Sequence, residues 1–122
     1  MIDMEVLKGL GLDTEEGLAY CADDPEFYGE MLLEYVKESG ERLSGLQRFF
    51  EERDWQQYTV CAHSVKSTSR MIGAKELSET ARISEMAGKE GNTEELMSRH
   101  QHFLEAYKNT AEMIGAAIGT EG

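Results

Sequence analysis

Proline is nearly missing from this sequence: Pro25 is the single one among 122 residues. No Pro/Ser-rich or low-complexity tract marks a linker, and the length suits one domain spanning residues 1–122. Cysteine is scarce too. Cys21 and Cys61 stand far apart and form no C-x-x-C, so two reduced packing thiols are expected rather than a disulfide framework. Basic residues are half as numerous as acidic ones, 12 against 24, and the net charge is −12. Phosphate backbones need a basic footprint, so a nucleic-acid partner is not expected, and neither is an anionic membrane surface. No segment approaches the roughly 20 apolar residues of a bilayer span. The start, "MIDMEVLKGLGLD", lacks the basic opening and apolar run of a secretory signal, and a cytoplasmic protein is expected. No repeat of solenoid length occurs, strand-type alternation is nearly absent, and no G-x-x-x-x-G-K-[ST] offers an ATP site.

What the chain does contain is helical spacing, with 40% hydrophobic residues to build one core. A short helix is expected from Asp13, with Glu16 as its capping partner, to about Ala22. Asp24 caps the next start, and Pro25 suits its first turn. Phe27, Met31, Tyr35, Leu43, Leu46, Phe49 and Phe50 then carry a helix to about Arg53, with Gly40 and Gly45 as weak points in its middle. Asp54 opens a third helix, with Gln57 in the reciprocal position, ending near Gly73. A fourth runs from Ala74 to about Lys89 on Leu77, Ala81 and Ile83. Asn92, with Glu95 behind it, starts the last, which carries Leu96, Phe103, Leu104, Tyr107, Ala111, Ile114 and Ile118. Four long amphipathic helices with short connections predict an all-α, up-and-down four-helix bundle with a short N-terminal helix.

The stretch "CAHSVKSTSRMIGA", Cys61 to Ala74, holds the densest chemistry. At about 100° per residue, Lys66, Ser67 and Arg70 fall within roughly 60° of His63. Tyr58, Ala62, Val65, Ser69 and Ile72 form a regular stripe on the other side, extended by Cys61 and Thr68. His63 is therefore expected on the solvent face, which it shares with Gln56, Thr59 and Val60 one turn earlier. An exposed neutral imidazole is a nucleophile. Lys66 and Arg70 would set positive charge beside an anionic group attached there. Ser67, Thr68 and Ser69 are small and leave room for a partner to approach.

The stretch "AHSVKSTSRMIGA" resembles the signature of histidine-containing phosphotransfer (HPt) domains of two-component relays. Ala62, His63, Lys66, Ile72, Gly73 and Ala74 match that pattern, and Val65 fills a leucine slot. "DDPEFYGEMLLEYV" and "DWQQYTVCAHS" are similar to the segments before the histidine. Leu77, Ala81 and Glu85 fall where the following helix has similar residues, so the likeness covers about residues 14–114. Ser67 departs from it, because the family usually has glycine after the lysine. Ser84 stands where leucine is common.

The resemblance implies a phosphocarrier and not an enzyme, relaying a phosphoryl group between receiver-domain aspartates. It implies that His63 is phosphorylated, that Lys66 stabilises the phosphoryl charge and that Arg70 assists. Thr59, Val60, Ser67 and Met71 would belong to the docking surface. It implies receivers of response regulators and hybrid histidine kinases as partners. It implies no cofactor on this chain and a divalent metal ion on the receiver. A monomer is expected. Two alternatives stay open: a receiver-binding helical module without phosphotransfer, and the substrate domain of a chemotaxis-type histidine kinase.

The remaining signals are weaker. His100 and His102 are about 200° apart on a helix, so they cannot share a metal on one face, and both are expected in solvent. No histidine follows a glutamate by three positions, which excludes the usual carboxylate-bridged di-iron bundle site. The scattered methionines read as core filling, except Met71 beside the His63 face. Trp55 reads as a packing anchor.

Overall fold

The computed structural model describes residues 3–119. Six helices follow one another: α1 (Met4–Gly9), α2 (Thr14–Tyr20), α3 (Pro25–Glu52), α4 (Trp55–Met71), α5 (Lys75–Lys89) and α6 (Thr93–Ile118). Five of them start on a capping side chain. Asp3, Asp13, Asp24, Asp54 and Asn92 each accept a hydrogen bond from a backbone N–H of the first turn. Each such cap contributes about 1 kcal/mol. The four caps from Asp13 onward are those expected from the sequence. The additional one, Asp3, opens α1, so two short helices precede the bundle where one is expected.

The four long helices pack in a ring: α3 on α4, α4 on α5, α5 on α6, and α6 back on α3. Short connections make neighbours antiparallel, the up-and-down arrangement. Their shared core includes Leu32, Tyr35 and Leu46 of α3, Tyr58, Ala62 and Val65 of α4, Leu77 and Ala81 of α5, and Leu96, Phe103, Tyr107 and Ile114 of α6. No helix among the described residues is long and apolar enough to cross a membrane. Cys21 and Cys61 are both free thiols.

The start of α3 differs by one residue from the expected face. Phe27 is exposed and Tyr28 is buried. Tyr28 shares a stripe with Leu32 and Tyr35, and its hydroxyl donates to the Ile72 carbonyl at 2.7 Å. That bond ties the start of α3 to the end of α4. The α4–α5 turn is tied down a second way. Gly73 has φ +86°, a conformation that favours glycine, and a Cβ there would lie 2.2 Å from the Asp13 carbonyl oxygen. The Asp13 N–H in turn donates to the Gly73 carbonyl at 2.8 Å.

His100 corrects an expectation. It lies inside the core and not in solvent, with its ring stacked on Phe50 at 3.7 Å between centroids. Its position explains this: residues 96, 100, 103 and 107 share one helical stripe. The Gln47 side-chain oxygen, 3.1 Å away, only accepts, so Nε2 carries the proton. Nδ1 then accepts from the Tyr58 hydroxyl at 2.8 Å. Both ring nitrogens are satisfied in the neutral form. His102 is exposed as expected.

Burial pushes the His100 pKa below its ordinary value, against an opposing pull from Glu51. The unfolded chain therefore binds a proton near pH 6 that the fold refuses. Folding stability should fall as pH drops below about 6.5, the ordinary histidine value. Chemical denaturation between pH 7 and pH 5 should show this slope, and His100→Gln should flatten it.

Candidate functional site

The α4–α5 seam builds the site. On α5, Ser78, Ala81, Glu85 and Gly88 recur at spacings of three and four, and so face one neighbour. Three of the four are small, which lets α5 lie close against α4. Gly88 is the tightest point: a Cβ there would meet Thr59 Oγ1 at 1.9 Å. Ser78 stitches the other end, its hydroxyl donating to the Lys66 carbonyl at 2.9 Å.

The fourth member of that stripe is a carboxylate. The Glu85 side chain is only 2% exposed, and it is satisfied entirely by basic groups. Oε2 lies 2.7 Å from His63 Nδ1 and 3.1 Å from Lys89 Nζ. Oε1 lies 2.6 Å from Lys66 Nζ. Burial acts to raise the Glu85 pKa, but hydrogen bonds from Lys66, His63 and Lys89 outweigh it and hold the pKa at about 2.

An ionised carboxylate only accepts hydrogen bonds. Glu85 therefore requires the proton of His63 to sit on Nδ1. In the neutral ring this leaves the lone pair on Nε2, for which no hydrogen-bond partner occurs among the described residues. The His63 side chain is 56% exposed, so the nucleophilic edge is open to solvent while the opposite edge is braced. Lys66 and Lys89 place two ammonium groups on the same carboxylate.

The expected residues are brought together to different degrees. Tyr58, Ala62, Val65, Ser69 and Ile72 are all buried, and His63 and Arg70 are exposed on the opposite face. Lys66 is half-buried against Glu85. Ser67 is half-buried on the His63 face, and Val60 is openly exposed one turn before the histidine. Met71 is half-buried at the last turn of α4. Thr59 is half-buried too: its side chain lies against Gly88, and its hydroxyl donates to the Trp55 carbonyl at 2.7 Å. It belongs to the helix–helix seam more than to the open face. Arg70 does not reach Glu85. Its Nε is 3.9 Å from Glu16 of α2.

The structure adds two residues to the site: Lys89, and Glu85, whose place in the sequence likeness carries no role by itself. The signal was present, since Glu85 continues the buried stripe of Ser78 and Ala81. A carboxylate on a buried stripe needs cationic partners.

The bracing of His63 is directly measurable. Neutral His63 should exist as the Nδ1–H tautomer, read from imidazole nitrogen chemical shifts. Glu85→Ala should shift it toward the Nε2–H form with helical content unchanged. An unchanged tautomer would mean that the carboxylate does not orient the ring.

Neither the curated proteins nor the solved structures contain a match to this chain. A family model described as "Hpt domain" matches residues 30–116, over two thirds of the chain, and that span contains His63, Lys66, Glu85 and Lys89. Such domains carry phosphoryl groups on histidine within phosphorelays and work with receiver domains. The all-helical bundle, the exposed histidine in its α4–α5 seam and the family match agree, and this chain belongs to the Hpt domain family.

Proposed function

We propose that this chain is a phosphocarrier that takes a phosphoryl group from a receiver-domain aspartate onto His63 Nε2 and passes it to another receiver. The observation that carries this reading is the pairing of His63 with Glu85, which leaves one ring nitrogen protonated and braced and the other free to attack. In the forward step the Nε2 lone pair forms the N–P bond. The acyl-phosphate P–O bond breaks, and the donor aspartate leaves as a carboxylate. The Nδ1 proton stays where it is, and Glu85 offsets the positive charge that the ring acquires. The return step is the reverse, with an acceptor carboxylate attacking phosphorus and neutral imidazole leaving.

Lys66 and Lys89 can exchange part of their contact with Glu85 for the phosphoryl oxygens, through charge-assisted hydrogen bonds. Arg70 adds positive potential one turn beyond Lys66. Val60, Ser67 and Met71 form the nearby docking surface, with Thr59 contributing from the seam. A serine in place of the usual glycine at position 67 leaves the approach open and adds a hydroxyl donor. The divalent metal ion and the remaining charge neutralisation belong to the receiver. A cytoplasmic, monomeric carrier goes with this reading.

The test is incubation with a receiver domain phosphorylated on its aspartate. The chain should acquire an acid-labile label, and His63→Gln should abolish it. Lys66→Ala should slow transfer roughly ten- to a hundredfold, the range for loss of one hydrogen bond to a charged group, with the circular dichroism spectrum unchanged. A label that survives His63→Gln would overturn the reading. So would transfer only from an ATP-dependent kinase domain and never from a receiver.

A further inference from the structure

Basic residues concentrate in one part of the molecule. Residues 55–89 contain five, Lys66, Arg70, Lys75, Arg82 and Lys89, against three acidic ones, Glu76, Glu79 and Glu85. The rest of the chain contains seven basic and twenty-one acidic residues. A cationic strip therefore lies on a molecule that is otherwise strongly anionic. Any acidic partner is repelled elsewhere and drawn to this strip.

Four of the five basic residues line a pocket of about 340 Å³ next to the site. Its walls include Lys66, Arg70, Lys75 and Arg82, with Glu16 and Glu79 among them. These cations are held with different firmness. Lys66 is bound to the buried Glu85. Lys75 bridges Asp13 and Glu16 at 2.9 Å each, which fastens α2 to the start of α5. Arg70 meets Glu16 only at 3.9 Å and is otherwise open. Arg82 is gripped by Glu79 of its own helix at 2.8 and 2.6 Å, and both side chains are exposed. Water and salt screen an exposed pair of this kind. Arg82 can exchange that carboxylate for another at little cost.

Arg82 also meets the Met86 sulfur at 2.7 Å, and Arg70 on α4 and Arg82 on α5 thus present two solvent-exposed guanidinium forks to one pocket, beside Lys66. Guanidinium forks match carboxylates with paired hydrogen bonds. We infer that Arg82, lining this pocket with Arg70, is a specificity-determining contact that receives a carboxylate-bearing segment of the receiver docked over His63. The inference rests on the phosphotransfer reading and adds to it a second point of attachment away from the reacting atoms. Two points fix the rotation of the partner about His63, where one does not. The contact governs encounter and partner choice, and leaves the reactivity of the imidazole untouched.

The experiment compares two phosphodonors on the full chain, with Arg82→Glu, Arg82→Gln and the unsubstituted protein. One donor is a purified receiver domain, phosphorylated on its aspartate, that labels the unsubstituted chain. The other is phosphoramidate, which is too small to span the pocket. With the receiver at sub-saturating concentration and low salt, Arg82→Glu should slow transfer at least about tenfold and Arg82→Gln about threefold. The differences should shrink in high salt. Phosphoramidate should label all three proteins at rates within about twofold of one another, because it needs only the intact site. Transfer from the receiver at the unsubstituted rate in Arg82→Glu would overturn the inference and leave the phosphotransfer reading standing. An equal loss with both donors would also overturn it, by showing that Arg82 acts on the site itself. If no phosphorylated receiver labels the unsubstituted chain, the phosphotransfer reading falls and this inference with it.

Discussion

Glu85 is a carboxylate placed where a side chain should be apolar, and the site is organised around the cost of putting it there. A buried anion is tolerable only if donors surround it, and here the donors are His63, Lys66 and Lys89. Taking charged groups out of water generally cancels much of what their pairing returns, so such a cluster is a poor way to stabilise a bundle. Its effect is geometric. One oxygen fixes the tautomer and orientation of the histidine, and the two oxygens together collect two ammonium groups beside it. The same carboxylate that leaves Nε2 unprotonated also gathers two ammonium groups beside the ring.

That geometry requires the two helices to be close, which is a property of the small side chains between them. Gly88 against Thr59 leaves no room for even a methyl group, and Ser78 bonds directly to the α4 backbone. At the far end, Gly73 against the Asp13 backbone and Tyr28 on the Ile72 carbonyl clamp the turn that joins α4 to α5. α2 and its cap Asp13 thus act on the site indirectly, by holding the end of the seam. Lys75, bridged to Asp13 and Glu16, reinforces the same clamp from α5.

Much of this was legible in the sequence, for identifiable reasons. Helix starts were readable because Asp13, Asp24, Asp54 and Asn92 cap by local hydrogen bonds that need no tertiary context. The exposed face of α4 was readable because Tyr58, Ala62, Val65, Ser69 and Ile72 repeat at spacings of three and four. What failed to show were pairings between distant segments. His100 reads as a surface residue until Tyr58 and Gln47, from two other helices, are seen to satisfy its ring. Glu85 reads only as a point of likeness in the helix after the histidine, with no role, until His63 and Lys66 are found on it. In both cases the polar residue lay on its helix's buried stripe, and the stripe was the available clue. The exposure of Phe27 in place of Tyr28 has a similar origin, since the Ile72 carbonyl that selects Tyr28 is contributed from 44 residues away.

Glu85 should assign the proton to Nδ1 of His63 and thereby the phosphoryl group to Nε2. Long-range proton–nitrogen correlation on the nitrogen-labelled, phosphorylated protein tests it most directly. Phosphorus is expected on Nε2, with Nδ1 still protonated and bonded to Glu85. Phosphorus on Nδ1, or a phosphorylated ring that has released its bond to Glu85, would contradict it.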